Sequence, residues 1–257
     1  MPSEQEPSAV LGLVTRRPQQ RPLPTGLLGS SPAGYTFAYV RGFATDPDQR
    51  PLLGFSDRTR VYRSPTLFPF FQQRVMDADR PDRAEYLRWL GLPEDATDWQ
   101  VLSRGGGTRK GDRYELVAAP ERTPSGGAAA RVLARGLRFI GDDLGIQRLN
   151  TALERLTPGA ALRVDVDSSN AVNPAARRLL SDDGTAIGFV PDVLVSYLAP
   201  QPNDAISVHV AQVNSSQVPW HLRLLIDVDV PVAPPMGVFD APQWQPLTPA
   251  HADIRAG

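Results

Sequence analysis

The chain has 257 residues, with 27 basic side chains against 28 acidic ones, a net charge of −1 and no cysteine. That balance excludes a global positive field that would draw in nucleic acid, so any such binding must rest on a local patch. The missing cysteines exclude disulfides, cysteine zinc sites and a cysteine nucleophile.

Hydrophobic residues make up 41% and charged residues 21%, close to globular norms, while the 26 prolines favour loops and short elements. No apolar run is long enough to cross a bilayer. The first ten residues lack the basic and apolar regions of a secretion signal. A soluble, cytoplasmic protein is therefore expected. Lys110 is the only lysine. With abundant Ala and Pro, this reads as a coding bias rather than selection for guanidinium chemistry.

In chain order, residues 1–24 are rich in Pro, Ser and Gln and read as a flexible N-terminus, with a short strand possible near Val10–Thr15. Gly34–Val40 alternates, with Tyr35, Phe37 and Tyr39 on one face, the pattern of a strand. Asp79 is a candidate N-cap, Pro81 sits near a first helical position, and Gly91 ends that helix. Trp99–Leu102 and Arg113–Val117 read as two strands around a Gly-rich loop, Ser103–Asp112. Residues 121–127, containing Thr-Pro-Ser-Gly-Gly, read as a linker.

Beyond it, Val132–Ile140 fits strand or helix, and Asp143–Leu156 has helical spacing. A strand follows through Leu162, Val164 and Val166. Asp183-Gly184 is a hairpin turn between Arg177–Leu180 and Ala186–Val190. A short helix runs from Pro191 to Tyr197, then strands at Ile206–Val213 and Leu222–Val230. Residues 232–257 form a proline-rich tail with no regular pattern.

The order of Gly136-Leu-Arg-Phe139, the strand after Gly159, the loop Asp167–Ala176, Asp183-Gly184 and Ile187-Gly-Phe-Val-Pro191 resembles the HIRAN domain over about a hundred residues. The resemblance implies a small β-barrel similar to an OB-fold that grips a single-stranded DNA 3′ end. A base would stack on an aromatic ring and a basic rim would hold phosphate. By position in the motif, Arg138, Phe139, Asn170 and Asn173 are the implied contacts, with Arg138 and Phe139 in the family's first strand. Val172 stands where a second stacking aromatic is usual, and Asn173 where an Asp is usual.

The earlier Gly34–Tyr39, Pro51-Leu-Leu-Gly-Phe55 and Tyr62–Phe71, ending in Leu-Phe-Pro-Phe-Phe, resemble the N-terminal subdomain of HipA-type kinases over about residues 25–92. No kinase core follows. In split systems that subdomain is an antitoxin of a separate kinase, so the resemblance implies a kinase or other protein partner.

Several motifs carry two readings. The loop with Arg104, Arg109 and Lys110 is either a flexible connection or a phosphate contact; it is not a Walker loop, because Gly follows Lys110. Phe68, Phe70 and Phe71 are core or a partner-facing patch. Arg135, Arg138, Arg177 and Arg178 line one groove if their segments are neighbouring strands, or are solvated strand surface. His209, His221 and His251 show no metal spacing. Asp165, Asp167, Asp182 and Asp183 read as turn and surface residues before a magnesium site.

The expectation is an α+β chain. A small α/β HipA-subdomain-like unit spans 25–120, and a β-barrel-like, OB-similar HIRAN domain spans 128–231. The chain is expected to be non-enzymatic and without cofactor or metal. It is expected to bind single-stranded DNA or a DNA end with a steep salt dependence, or else to act as an antitoxin-like partner of a HipA-type kinase.

Overall fold

The computed structural model describes residues 9–248. Ala9–Arg17 (β1) bears out the strand possible near Val10–Thr15 and extends it into a stretch otherwise expected to be flexible, and residues 11–15 are all buried. Of the prolines in this stretch, Pro18, Pro22 and Pro24 fall after it, at the hairpin and in the next strand. Leu11 and Leu13 enter an aromatic core on one face, while Val14 joins a second core on the other. Such two-sided burial hides the alternation that normally marks a strand.

β1 pairs with Gln20–Ser31 (β2), which pairs with Gly34–Tyr39 (β3) and through it with Tyr62–Ser64 (β4). Tyr114–Ala118 (β5) completes the five-stranded antiparallel sheet on the other side of β1. Four helices belong to this half: Arg41–Ala44 (α1), Pro69–Gln72 (α2), Arg83–Trp89 (α3) and Asp98–Gly105 (α4).

α3 starts beyond the expected cap, because Asp82 rather than Asp79 occupies the N-cap position. α4 corrects the strand expected at Trp99–Leu102. Thr97 and Gln100 form a capping box, and Gly106, at φ 72°, caps the C-terminus. The reciprocal cap satisfies two N–H groups that a strand would have left to a neighbour.

No linker follows. Glu121–Arg122 (β6) and Ala128–Leu133 (β7) form a hairpin around residues 123–127. They lie at one side of a seven-stranded antiparallel sheet in the order β10-β9-β8-β11-β12-β7-β6. Its other strands are Ala161–Val166 (β8), Arg177–Leu180 (β9), Ala186–Phe189 (β10), Ser207–Val213 (β11) and Leu224–Val230 (β12). Leu137–Leu144 (α5) and Ile146–Glu154 (α6) precede β8, and Asp192–Leu198 (α7) follows β10. A single bridge, Arg135 to Phe189, joins β10 to the chain leaving β7. Among the described residues, no ladder closes the sheet into a barrel.

The two halves share their interior. Val14, Leu27, Ala38 and Val40 belong to one core with Leu179, Ile187, Val208 and Ile226. α3 and α4 place Leu87, Leu90 and Val101 against Leu133, Leu222 and Leu225. The expected tail is a strap. Phe239 and Trp244 are buried, and the Leu247 N–H donates to the Tyr39 carbonyl at 2.9 Å. Only Gly fits at position 12 beneath this strap, because a Cβ there would stand 2.5 Å from the Phe239 ring. No helix among the described residues is long and apolar enough to cross a membrane.

Candidate nucleic-acid interface

Gly136, at φ 73°, turns the chain out of the line of β7 and sits at the N-cap of α5. Leu137, Ile140 and Leu144 then follow helical spacing and face inward, so Arg138 and Phe139 lie on a helix, not on the strand the motif implied. Phe139 is 71% exposed and is the one exposed aromatic residue of the described chain. The Arg138 side chain is 78% exposed, and its nearest acid is Asp142, one turn along at 4.0 Å. An exposed pair of that kind is worth a few tenths of a kcal/mol, so the guanidinium stays available.

The Asp167–Ala176 loop is braced from within. The Asp167 N–H donates to the Ala176 carbonyl at 2.8 Å. The Asn170 side-chain oxygen accepts from the Val172 and Asn173 N–H groups, both at 3.0 Å. Asn173 is 5% exposed; its oxygen accepts from Ala175 and its amide donates to Asp192. Asn173 is therefore a loop brace, which corrects its assignment as a ligand contact. A short polar side chain that satisfies nearby backbone is the ordinary use of Asn in a loop. Val172, at the tip, is exposed.

Asp167 anchors the loop's other end. It accepts from the Ser169 hydroxyl at 2.7 Å and pairs with Arg178 at 2.6 Å. Burial alone would raise its carboxyl, but the Ser169 hydroxyl, the Arg178 charge and Asn170 together hold it below the usual carboxylate range.

The four arginines do not line one groove. β10 separates the segment at Arg135 from β9. Neighbouring residues on β9 point to opposite faces, so Arg177 and Arg178 diverge. Arg177 is 7% exposed and donates to Asn203. Arg135 pairs with Glu115 of the first sheet, whose other oxygen stands 3.9 Å from Arg16. With Arg178 held by Asp167, a phosphate rim built from Arg135, Arg177 and Arg178 is not present. Arg138 alone remains solvated.

The Gly-rich loop gathers no cations either. Arg104 donates to the Leu90 carbonyl at 3.2 Å, Arg109 to Gln73 at 3.0 Å, and Lys110 points to solvent. Arg74 pins the loop from beneath, bonding the Gly107 carbonyl at 3.0 Å and Asp112 at 2.6 Å. That buried guanidinium is distant in sequence, so the loop's own residues gave no sign of this brace.

Phe68 and Phe71 are buried and Phe70 half-buried, each within ring-packing distance of Phe55. They are core, which corrects the partner-facing patch. Among the described residues, no three His, Asp or Glu side chains are grouped to hold a metal ion; His251 lies outside those residues. No known protein family, curated protein or solved structure matches the chain.

Proposed function

We propose that this chain is a nucleic-acid-binding module that stacks an unpaired base of single-stranded DNA, or of a DNA end, on Phe139, with Arg138 beside it to contact phosphate. The observation that carries the reading is the exposure of Phe139 in a protein that packs every other Phe, Tyr and Trp ring at least partly away from water. Leaving a phenyl ring in solvent forgoes about 1.5–3 kcal/mol of burial. A base laid on it recovers about 1–3 kcal/mol, and every base offers a π-face. The order of motifs from Gly136 to Pro191, similar to the HIRAN domain, supports the same reading, with a seven-stranded antiparallel sheet in place of a closed barrel.

The arginine geometry sharpens the expected electrostatics. With one solvated guanidinium beside the ring, about one phosphate is neutralised. The salt slope for a single strand is then near −0.7, far shallower than a four-arginine rim would give. Fluorescence anisotropy with labelled single-stranded oligonucleotides, bearing a 3′-hydroxyl or a 3′-phosphate, tests this at about 50 mM salt. Phe139→Ala is expected to weaken binding by about tenfold or more. Absence of binding by the wild type, or equal binding by the variant, ends the proposal.

A further inference from the structure

Toward its hairpin, β2 runs past the end of β3, whose pairing stops at Gly26–Tyr39. Residues 20–24 therefore have no strand beside them on that side. α7 and residues 234–244 of the strap face them instead, and a cleft of about 440 Å3 lies between. Its volume falls in the range of small-ligand sites, and its position between two halves of the chain is where such sites concentrate.

The walls are mainly apolar, formed by Leu23, Tyr197, Val238 and Trp244 among others. Met236 lines the cleft and is 55% exposed, an adaptable thioether that suits an irregular apolar ligand. Charged groups enter only near the hairpin. Arg21 donates through Nε to Asp192 at 3.2 Å and through Nη2 to the Ser196 hydroxyl at 3.0 Å. Arg17 donates through Nε and Nη2 to the Arg21 carbonyl, at 3.3 and 3.0 Å.

Arg17 is half-buried, yet pairs with no carboxylate among the described residues. The Nη1 of each arginine has no acceptor among them either. Against Arg17 and Arg21 the lining offers only Asp192, so one positive charge is left over.

We propose that this cleft binds a small organic monocarboxylate with an apolar body, its acid group held by Arg17 and Arg21. One negative charge balances the lining, and the fork of a guanidinium matches a carboxylate. A dianionic phosphate would leave a surplus negative charge beside Asp192, and a cation would meet the surplus arginine. An apolar body of a few carbons displaces water from the ring and proline walls.

Isothermal titration calorimetry on the full chain, with octanoate, octan-1-ol and octylammonium as probes, tests the site. Octanoate is expected to bind one-to-one and at least about tenfold more tightly than octanol, the step that a charge-assisted hydrogen bond supplies. Octylammonium is expected to bind more weakly still. Val193→Trp, which fills the cleft, abolishes octanoate binding. Ser196→Trp does the same from the exposed side should Val193→Trp fail to fold. Arg17→Gln lowers octanoate affinity toward that of octanol. Equal affinity for octanoate and octanol, or octanoate binding unchanged in a folded cleft-filled variant, overturns the proposal.

Discussion

In the first sheet aromatic rings pack on one another: Phe37 stands 4.5 Å from Phe55 and 5.5 Å from Phe71, and Tyr39 stands 4.4 Å from Phe43. Against the second sheet the interior is mainly aliphatic, with Tyr197, Phe239 and Trp244 among its Leu, Ile, Val and Ala, and Phe139 stands outside on α5. A ring buried among rings is explained by packing alone. A lone ring on the surface of an aliphatic layer is not, and so it carries information about a ligand. Of the two readings of the Leu-Phe-Pro-Phe-Phe run, core and partner-facing patch, the structure bears out the core.

The contrast breaks most directly at Phe71. Truncation to Ala is expected to cost about 3–5 kcal/mol, read as a shift in urea midpoint, because the ring is fully buried. Phe139→Ala is expected to stay within about 0.5 kcal/mol of wild type while losing DNA affinity. If both variants unfold alike, the distinction between packing and presenting rings fails.

A second variant asks whether the two halves are separable. Gly12→Ala would set a methyl 2.5 Å from Phe239 and 2.7 Å from Trp244. Overpacking of that kind costs about 1–3 kcal/mol. Because the halves share a core, the variant is expected to unfold in one transition at lower denaturant. Two resolved transitions by fluorescence and circular dichroism would show that the strap, not the core, couples them.

The smallest effect is pH-dependent. The Asp183 carboxyl is held at about 2 by the Ser181 hydroxyl and then by the Thr185 side chain and N–H; Asp167 is also depressed. A lowered folded-state value means that these groups stabilise the fold above the ordinary carboxylate range. The contribution fades as pH falls from about 4 toward about 2. Thermal melts of Asp183→Asn are expected to vary less with pH over that window than wild-type melts. Parallel curves would show that the turn adds nothing.

Much of the second sheet was legible because its strands are bounded by strong punctuation: Pro158-Gly159, Asp183-Gly184 and Pro191 each fall at an observed boundary. The α4 helix was not, since Trp99–Leu102 is too short to separate the two periods, and its Thr97–Gln100 cap is the signal that decides. β1 was legible only as a possible short strand at Val10–Thr15, because burial on both faces blurs its alternation. Within the site, Phe139 could be singled out from its motif, but the fates of Arg135, Arg177 and Arg178 depended on Glu115, Asn203 and Asp167. Those partners lie 20, 26 and 11 positions away along the chain. No local pattern pairs residues at such separations.

The contact of Phe239 and Trp244 with Gly12 sets an order of events at the ribosome. β1 is made before every other strand described, and the rings that cover its Gly12 face come more than two hundred residues later. At about 5–20 residues per second, that face waits on the order of ten seconds or more for its cover. The first sheet can assemble its aromatic side during synthesis. Its other side is completed only once the strap has been made and has docked, so an apolar strand face stays open to water for most of the chain's synthesis.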